Sequence, residues 1–182
     1  MLTTSQMIVV FFIYGLSFFV LGVAILIYPK RNSAFALAPH LNLIAGFGIT
    51  HGFNEWLDMF ILIQAPTSIP SLEILRAATL PASFLFLVQF GVMSIVQTKK
   101  RYALLKLLPF GLALLWAATV FFSHERFLMG DIWARYLIGL PGVLLTSYAL
   151  GLHLAQLKET KLTGVIQNLK FMIVVFLIYG LL

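Results

Sequence analysis

Six apolar runs, each near the length of a bilayer-spanning helix, limit what this chain can fold into more than any other feature. They extend roughly from Met7 to Tyr28, Leu41 to Ile63, Ile74 to Val96, Leu104 to Phe122, Ile132 to Leu157 and Val165 to Leu182. About 20 apolar residues carry a helix across a hydrocarbon core ~30 Å thick. In lipid the backbone must satisfy its own hydrogen bonds, so each run is expected to be helical. A transmembrane barrel would need shorter segments of alternating polarity, and the sequence does not contain them. The predicted fold is all-α: a polytopic transmembrane bundle of about six helices, forming one integral-membrane domain over residues 1–182.

Composition supports this. Hydrophobic residues make up 61% of the chain and charged residues only 10%, against roughly a quarter charged in a soluble domain. There is no cysteine, which excludes disulfides and thiolate metal ligands. The net charge of +6 does not point to nucleic acid, because the basic residues lie between the apolar runs, where orientation signals belong. Lys30, Arg31, Lys99, Lys100, Arg101, Lys106, Lys158, Lys161 and Lys170 fall toward one side, and only Arg76, Arg126 and Arg135 toward the other. The positive-inside rule then predicts an outside N-terminus. Met1 to Gln6 lacks the basic region of a cleavable signal peptide, so the first run is expected to remain as a helix. The last run reaches Leu182 without a polar anchor, and the expectation is a chain truncated within its final helix. Its Val175-Phe176-Leu177-Ile178-Tyr179-Gly180-Leu181 echoes Val10-Phe11-Phe12-Ile13-Tyr14-Gly15-Leu16 of the first run, an echo that two Phe-rich apolar helices can share without common origin.

The second run carries the chemistry. His51 lies ten residues past Leu41, about 15 Å along a helix and so near mid-membrane. Glu55 and Asp58 follow at helical spacing on the same face. Ionisable groups at that depth are costly unless paired or hydrated, which makes them functional candidates. Asn54 and Trp56 belong to the same motif, and Trp56 and Trp133 suit an aromatic belt at the outer interface. Arg76 and Arg135 are the expected partners, since guanidinium–carboxylate pairing suits a buried site. Three readings stay open for this cluster: a structural tie between helices, a ligand- or proton-responsive site, and metal or haem ligation. Gly48 and Gly52 form a Gly-x-x-x-Gly pair that permits close helix packing.

Other candidates carry less. No dedicated metal site is predicted; as an alternative, His51, His153 and His40 are candidate axial ligands for a b-type haem. His124 falls in a short outer loop. Pro141, between Gly139 and Gly142, is a candidate kink or hinge. No nucleotide-binding, zinc-protease or nucleophile motif is present, so no catalytic residue is assigned.

The stretch Phe11 to Ala24, followed by Leu43 to Phe60 with its His-Gly-x-x-Glu-Trp-x-Asp string at His51 to Asp58, resembles the N-terminal multi-pass membrane region of bacterial signalling proteins. In that group a membrane region precedes a histidine kinase or diguanylate cyclase module. The resemblance is best over residues 8–100. It implies a sensory input domain in a bacterial inner membrane, with the lipid bilayer as surroundings and a homodimer formed through the parent protein. No phospho-accepting histidine box, ATP-binding motif or cyclase signature is present in the chain. The alternatives are a b-type haem protein and a small transporter or channel.

Overall fold

The computed structural model describes residues 3–28, 37–64, 69–157 and 163–181. Their regular elements are helical: α1 (Thr4–Ile27), α2 (Leu41–Ile63), α3 (Pro70–Thr98), α4 (Leu108–Phe121), α5 (Arg126–Trp133), α6 (Leu140–Leu157) and α7 (Thr163–Leu181). A 3-10 turn, Ala38–His40, leads into α2, and a longer 3-10 segment, Lys100–Leu107, leads into α4. A π-helical stretch, Ala134–Gly139, joins α5 to α6, giving one continuous rod from Arg126 to Leu157. The seven helices therefore make six rods, one for each apolar run, and the fold is an all-α bundle. Lys30, Arg31, Lys158 and Lys161, which contribute to the charge asymmetry, lie outside the described residues.

Local sequence explains where the rods begin. Thr3 and Gln6 form a capping box at α1: the Gln6 amide donates to Thr3 Oγ1 at 3.3 Å and the Thr3 amide donates to Gln6 Oε1 at 2.8 Å. Pro70 and Pro109 stand in the first turns of α3 and α4, where a missing N–H costs nothing. The second run matches α2 at both ends. The fifth does not: its helix begins at Arg126 rather than Ile132, because the rod continues through the charged residues that end the apolar pattern.

Four helical stretches are long and apolar enough to cross a membrane, Thr4–Ile27, Pro70–Thr98, Lys100–Phe121 and Arg126–Leu157, which is the character of a membrane protein. The length of α2 is also sufficient, at 23 residues or about 35 Å. What lowers its hydropathy is the set His51, Asn54, Glu55 and Asp58. This rod, with its polar residues near the middle, is also an enclosed one, with α1 on one flank and α3 on the other. Farther on, α3 packs on α6 and α6 on α7, while α4 and α5 each also touch α3. The core between these rods is built from Ile44, Phe47, Leu80, Phe84, Leu87, Val88 and Val143. Apolar side chains such as Val9, Ile13, Val20, Phe110 and Leu114 remain exposed on the rods' outer faces, where lipid would cover them.

Glycine sets the two closest seams. Gly48 and Gly52 of α2 face Gly22 and Gly15 of α1. A Cβ on Gly52 would stand 2.5 Å from the Gly15 carbonyl oxygen, and one on Gly48 2.8 Å from the Phe18 oxygen. Backbones this near leave no room for any side chain, as in small-residue packing of membrane helices. The α3–α6 seam is similar: a Cβ on Gly91 would meet Leu145 Cβ at 2.7 Å. One helical turn away, Thr146 Oγ1 donates to the Leu87 carbonyl at 3.1 Å. Gly139 and Gly142 beside Pro141 also pack on α3, against Phe84 and Val88. The backbone irregularity is the π stretch just before the proline.

Candidate functional site

Residues 51, 55 and 58 share a face because helical spacing of three and four returns to the same stripe. In the structure that face of α2 turns toward α3 and α7. His51 is 1% exposed and Glu55 5% exposed. The imidazole is enclosed by aromatic rings from four helices: Phe18 of α1, Phe47 of α2, Phe84 of α3 and Tyr179 of α7, with ring centroids 4.7 to 5.8 Å away.

Both ring nitrogens of His51 are engaged. Nδ1 lies 3.1 Å from Ser83 Oγ, and Nε2 lies 2.8 Å from the Tyr179 hydroxyl. The proton inventory follows from the neighbours. Ser83 donates its hydroxyl proton to the Leu80 carbonyl at 2.7 Å, so its oxygen is left to accept from His51 Nδ1–H. Nε2 then carries the lone pair and accepts from Tyr179. A neutral imidazole protonated at Nδ1 satisfies both contacts. Glu55 Oε1 is 3.5 Å from the same Nε2. An ionised carboxylate can only accept, so it gains a hydrogen bond from this nitrogen only if His51 takes a second proton. His51, Glu55 and Tyr179 therefore form a buried site whose hydrogen bonds depend on one proton.

A second network lies nearer the α2 C-terminus. Arg76 of α3 bridges two helices: its Nε binds Asp58 of α2, and its Nη2 reaches Asp131 of α5 at 3.1 Å. Asp131 also approaches Arg135, one turn on, at 3.7 Å. Asn54 extends this second network to Thr79. Its side-chain amide donates to Asp58 at 3.4 Å, and its oxygen accepts from Thr79 Oγ1 at 3.1 Å.

The expected partners are thus present in a changed arrangement. Asp58 pairs with Arg76 as the sequence suggests, but Arg135 pairs with Asp131 rather than with the α2 carboxylates. Trp56 does not join the cluster. One position beyond Glu55 it has turned about 100° onto the stripe of Gly48 and Gly52, where its Nε1 donates to the Phe12 carbonyl at 3.3 Å and its ring covers Gly15. Asp131, Tyr179, Ser83 and Thr79 are the residues that sequence reasoning missed. Asp131 was detectable as the one carboxylate a helical turn before Arg135. The others are ordinary hydroxyl residues of apolar helices.

For the haem alternative, both ring nitrogens of His51 take hydrogen bonds, whereas His153 Nε2 is buried without one among the described residues. His153 is buried at 3% exposure in the last turns of α6, and His40 stands at the start of α2, away from the cluster along the helix axis. Among the described residues no group of three or more His, Asp or Glu is placed to hold a metal ion.

Fold and site together define an all-α bundle of membrane-protein character with a buried ionisable cluster linking α2, α3, α5 and α7. No protein-family model matches the chain, and no curated protein or solved structure is similar to it.

Proposed function

We propose that this chain is the membrane-embedded sensory input region of a bacterial signal-transduction protein, a histidine kinase or a cyclic-di-GMP enzyme. The observation that carries the reading is the contact of His51 with Tyr179: a titratable group buried among four helices is bonded to the last of them. Protonation or ligand occupancy at His51 and Glu55 changes which hydrogen bonds can form, and so changes the relative stability of two packings of α7. A stimulus acts by such differential stability, as a shift in population between states. The resemblance of residues 8–100 to bacterial sensor regions supports the same reading. The skew of basic residues favours a multi-pass placement in the inner membrane with the N-terminus outside. Dimerisation would come through the parent protein.

The test is a chimaera in which residues 1–182 drive a histidine kinase module whose reporter is read between about pH 5 and 8, the range in which an unperturbed histidine titrates. His51→Ala and Glu55→Gln are each expected to lock the output in one state. Output and stimulus response equal to those of the parent in both variants would make the cluster scaffold.

A further inference from the structure

The networks around His51 and Arg76 leave one cavity beside them. It holds about 530 Å³, within the range of small-molecule sites. Its walls come from four rods: Tyr14 of α1, Phe84 of α3, the segment from Asp131 to Val143, and Tyr179 with Gly180 of α7. The Tyr-Gly echo between the first and last runs has a spatial counterpart, since Tyr14 and Tyr179 both face this cavity. The position is unusual in that one wall residue, Tyr179, is also the partner of buried His51.

From this geometry we infer that the cavity is a binding site for a neutral, lipid-soluble ring compound bearing carbonyl oxygens, the chemistry of a quinone. Three observations select that class. First, the walls contain the flat rings of Tyr14, Phe84, Tyr136 and Tyr179, and a planar ring packs against such faces. Second, donors with spare capacity line the cavity, and the wall's carboxylate oxygen that lacks a hydrogen bond, Asp131 Oδ1, is itself buried. The Arg135 side chain is 50% exposed and held by a single contact at 3.7 Å, and Tyr14 brings a phenol. Asp131, the acceptor in the wall, is already approached by two arginines. Third, the adjoining arginines already face carboxylates: Arg76 and Arg135 face Asp58 and Asp131. An anionic head would have to take Arg135 from Asp131, and a cationic head would have to displace an arginine from its carboxylate. A neutral head with acceptor oxygens completes Arg135 and Tyr14 and upsets no pair. Identifying this ligand as the stimulus rests on the sensory reading; the binding site itself does not.

The experiment uses the purified protein in phosphatidylcholine nanodiscs and a decyl-tailed benzoquinone as probe. Binding is read as quenching of tryptophan fluorescence, Trp133 being next to the wall residue Ile132. Saturable quenching at one site is expected. Arg135→Gln and Tyr14→Phe should each weaken it by about tenfold, the worth of a lost charged or phenolic hydrogen bond. Leu140→Phe, which fills the cavity, should weaken it too, and Leu144→Phe on the exposed side of α6 should leave it unchanged. Decylbenzene binding as tightly as the quinone would overturn the assignment, as would displacement of the quinone by a long-chain fatty acid at equal concentration. Quenching that never saturates and ignores Arg135→Gln and Tyr14→Phe alike would mean partition into lipid and would also overturn it. Saturable binding with no effect of quinone on the chimaera's output would uphold the site and refute its sensory use. A pH-responsive chimaera with no saturable binding would do the reverse.

Discussion

The Tyr179 hydroxyl lies 2.8 Å from His51 Nε2, although the two residues are 128 positions apart. This contact closes the bundle. Packing of the rods runs from α1 through α2, α3 and α6 to α7, and the Tyr179–His51 hydrogen bond returns the last rod to the second. It also suits the tautomer protonated at Nδ1, because the other nitrogen faces a serine whose hydroxyl donates to the Leu80 carbonyl.

That assignment is directly measurable. With histidine labelled by ¹⁵N, the His51 resonances near neutral pH should show a protonated Nδ1 and an unprotonated Nε2. The opposite pattern would mean that Tyr179 accepts rather than donates, and the proton inventory of the site would have to be rewritten.

Removing the hydroxyl should be felt in stability. Tyr179→Phe leaves a buried imidazole nitrogen without its donor, a loss of about 1–3 kcal/mol for an unsatisfied buried polar atom. Unfolding in mixed micelles should show it as a lower midpoint than in the parent. Tyr136→Phe, at a side chain 65% exposed, should leave the midpoint where it is.

The α1–α2 seam makes a sharper claim. Gly52→Ala puts a methyl 2.5 Å from the Gly15 carbonyl oxygen, and overpacking against backbone costs about 1–3 kcal/mol. Gly111→Ala, with nothing within 4 Å of the new carbon, should be neutral or stabilising through helix propensity. Equal effects of the two substitutions on the unfolding midpoint would contradict the seam.

Arg76 holds two carboxylates from different helices, so its removal should cost more than a surface pair. Arg76→Met leaves Asp58 without its cation, and the expected loss is about 3 kcal/mol, the low end for a buried pair because both side chains keep some exposure. Adding Asp58→Asn to Arg76→Met should recover part of that loss. A double variant as damaged as the sum of the two single ones would show that the residues do not interact.

Much of the fold could be read from hydropathy because lipid imposes one rule on every spanning segment. The α2 boundaries, the glycine seam and the Asp58–Arg76 pair follow from spacing and charge. Other features needed the tertiary structure. Tyr179 lies in an unbroken apolar run, and no pattern distinguishes a tyrosine that meets a histidine from one that meets a lipid headgroup. Charge alone pairs Arg135 with the α2 carboxylates and does not reveal that Asp131, on its own helix, is nearer. Grouping Trp56 with Glu55 by sequence overlooks that adjacent helical residues point about 100° apart.

The π-helical stretch Ala134–Gly139 makes the rod from Arg126 to Leu157 a ruler with a slipped scale. Closing hydrogen bonds over five residues instead of four inserts an extra residue into the winding, so positions above and below the slip follow two different phases. A helical wheel drawn through the whole rod will assign one half to the wrong face. Scanning it with cysteine and a water-soluble thiol reagent should give two clean periodicities of about 3.6 residues, out of step by one position across residues 134–139.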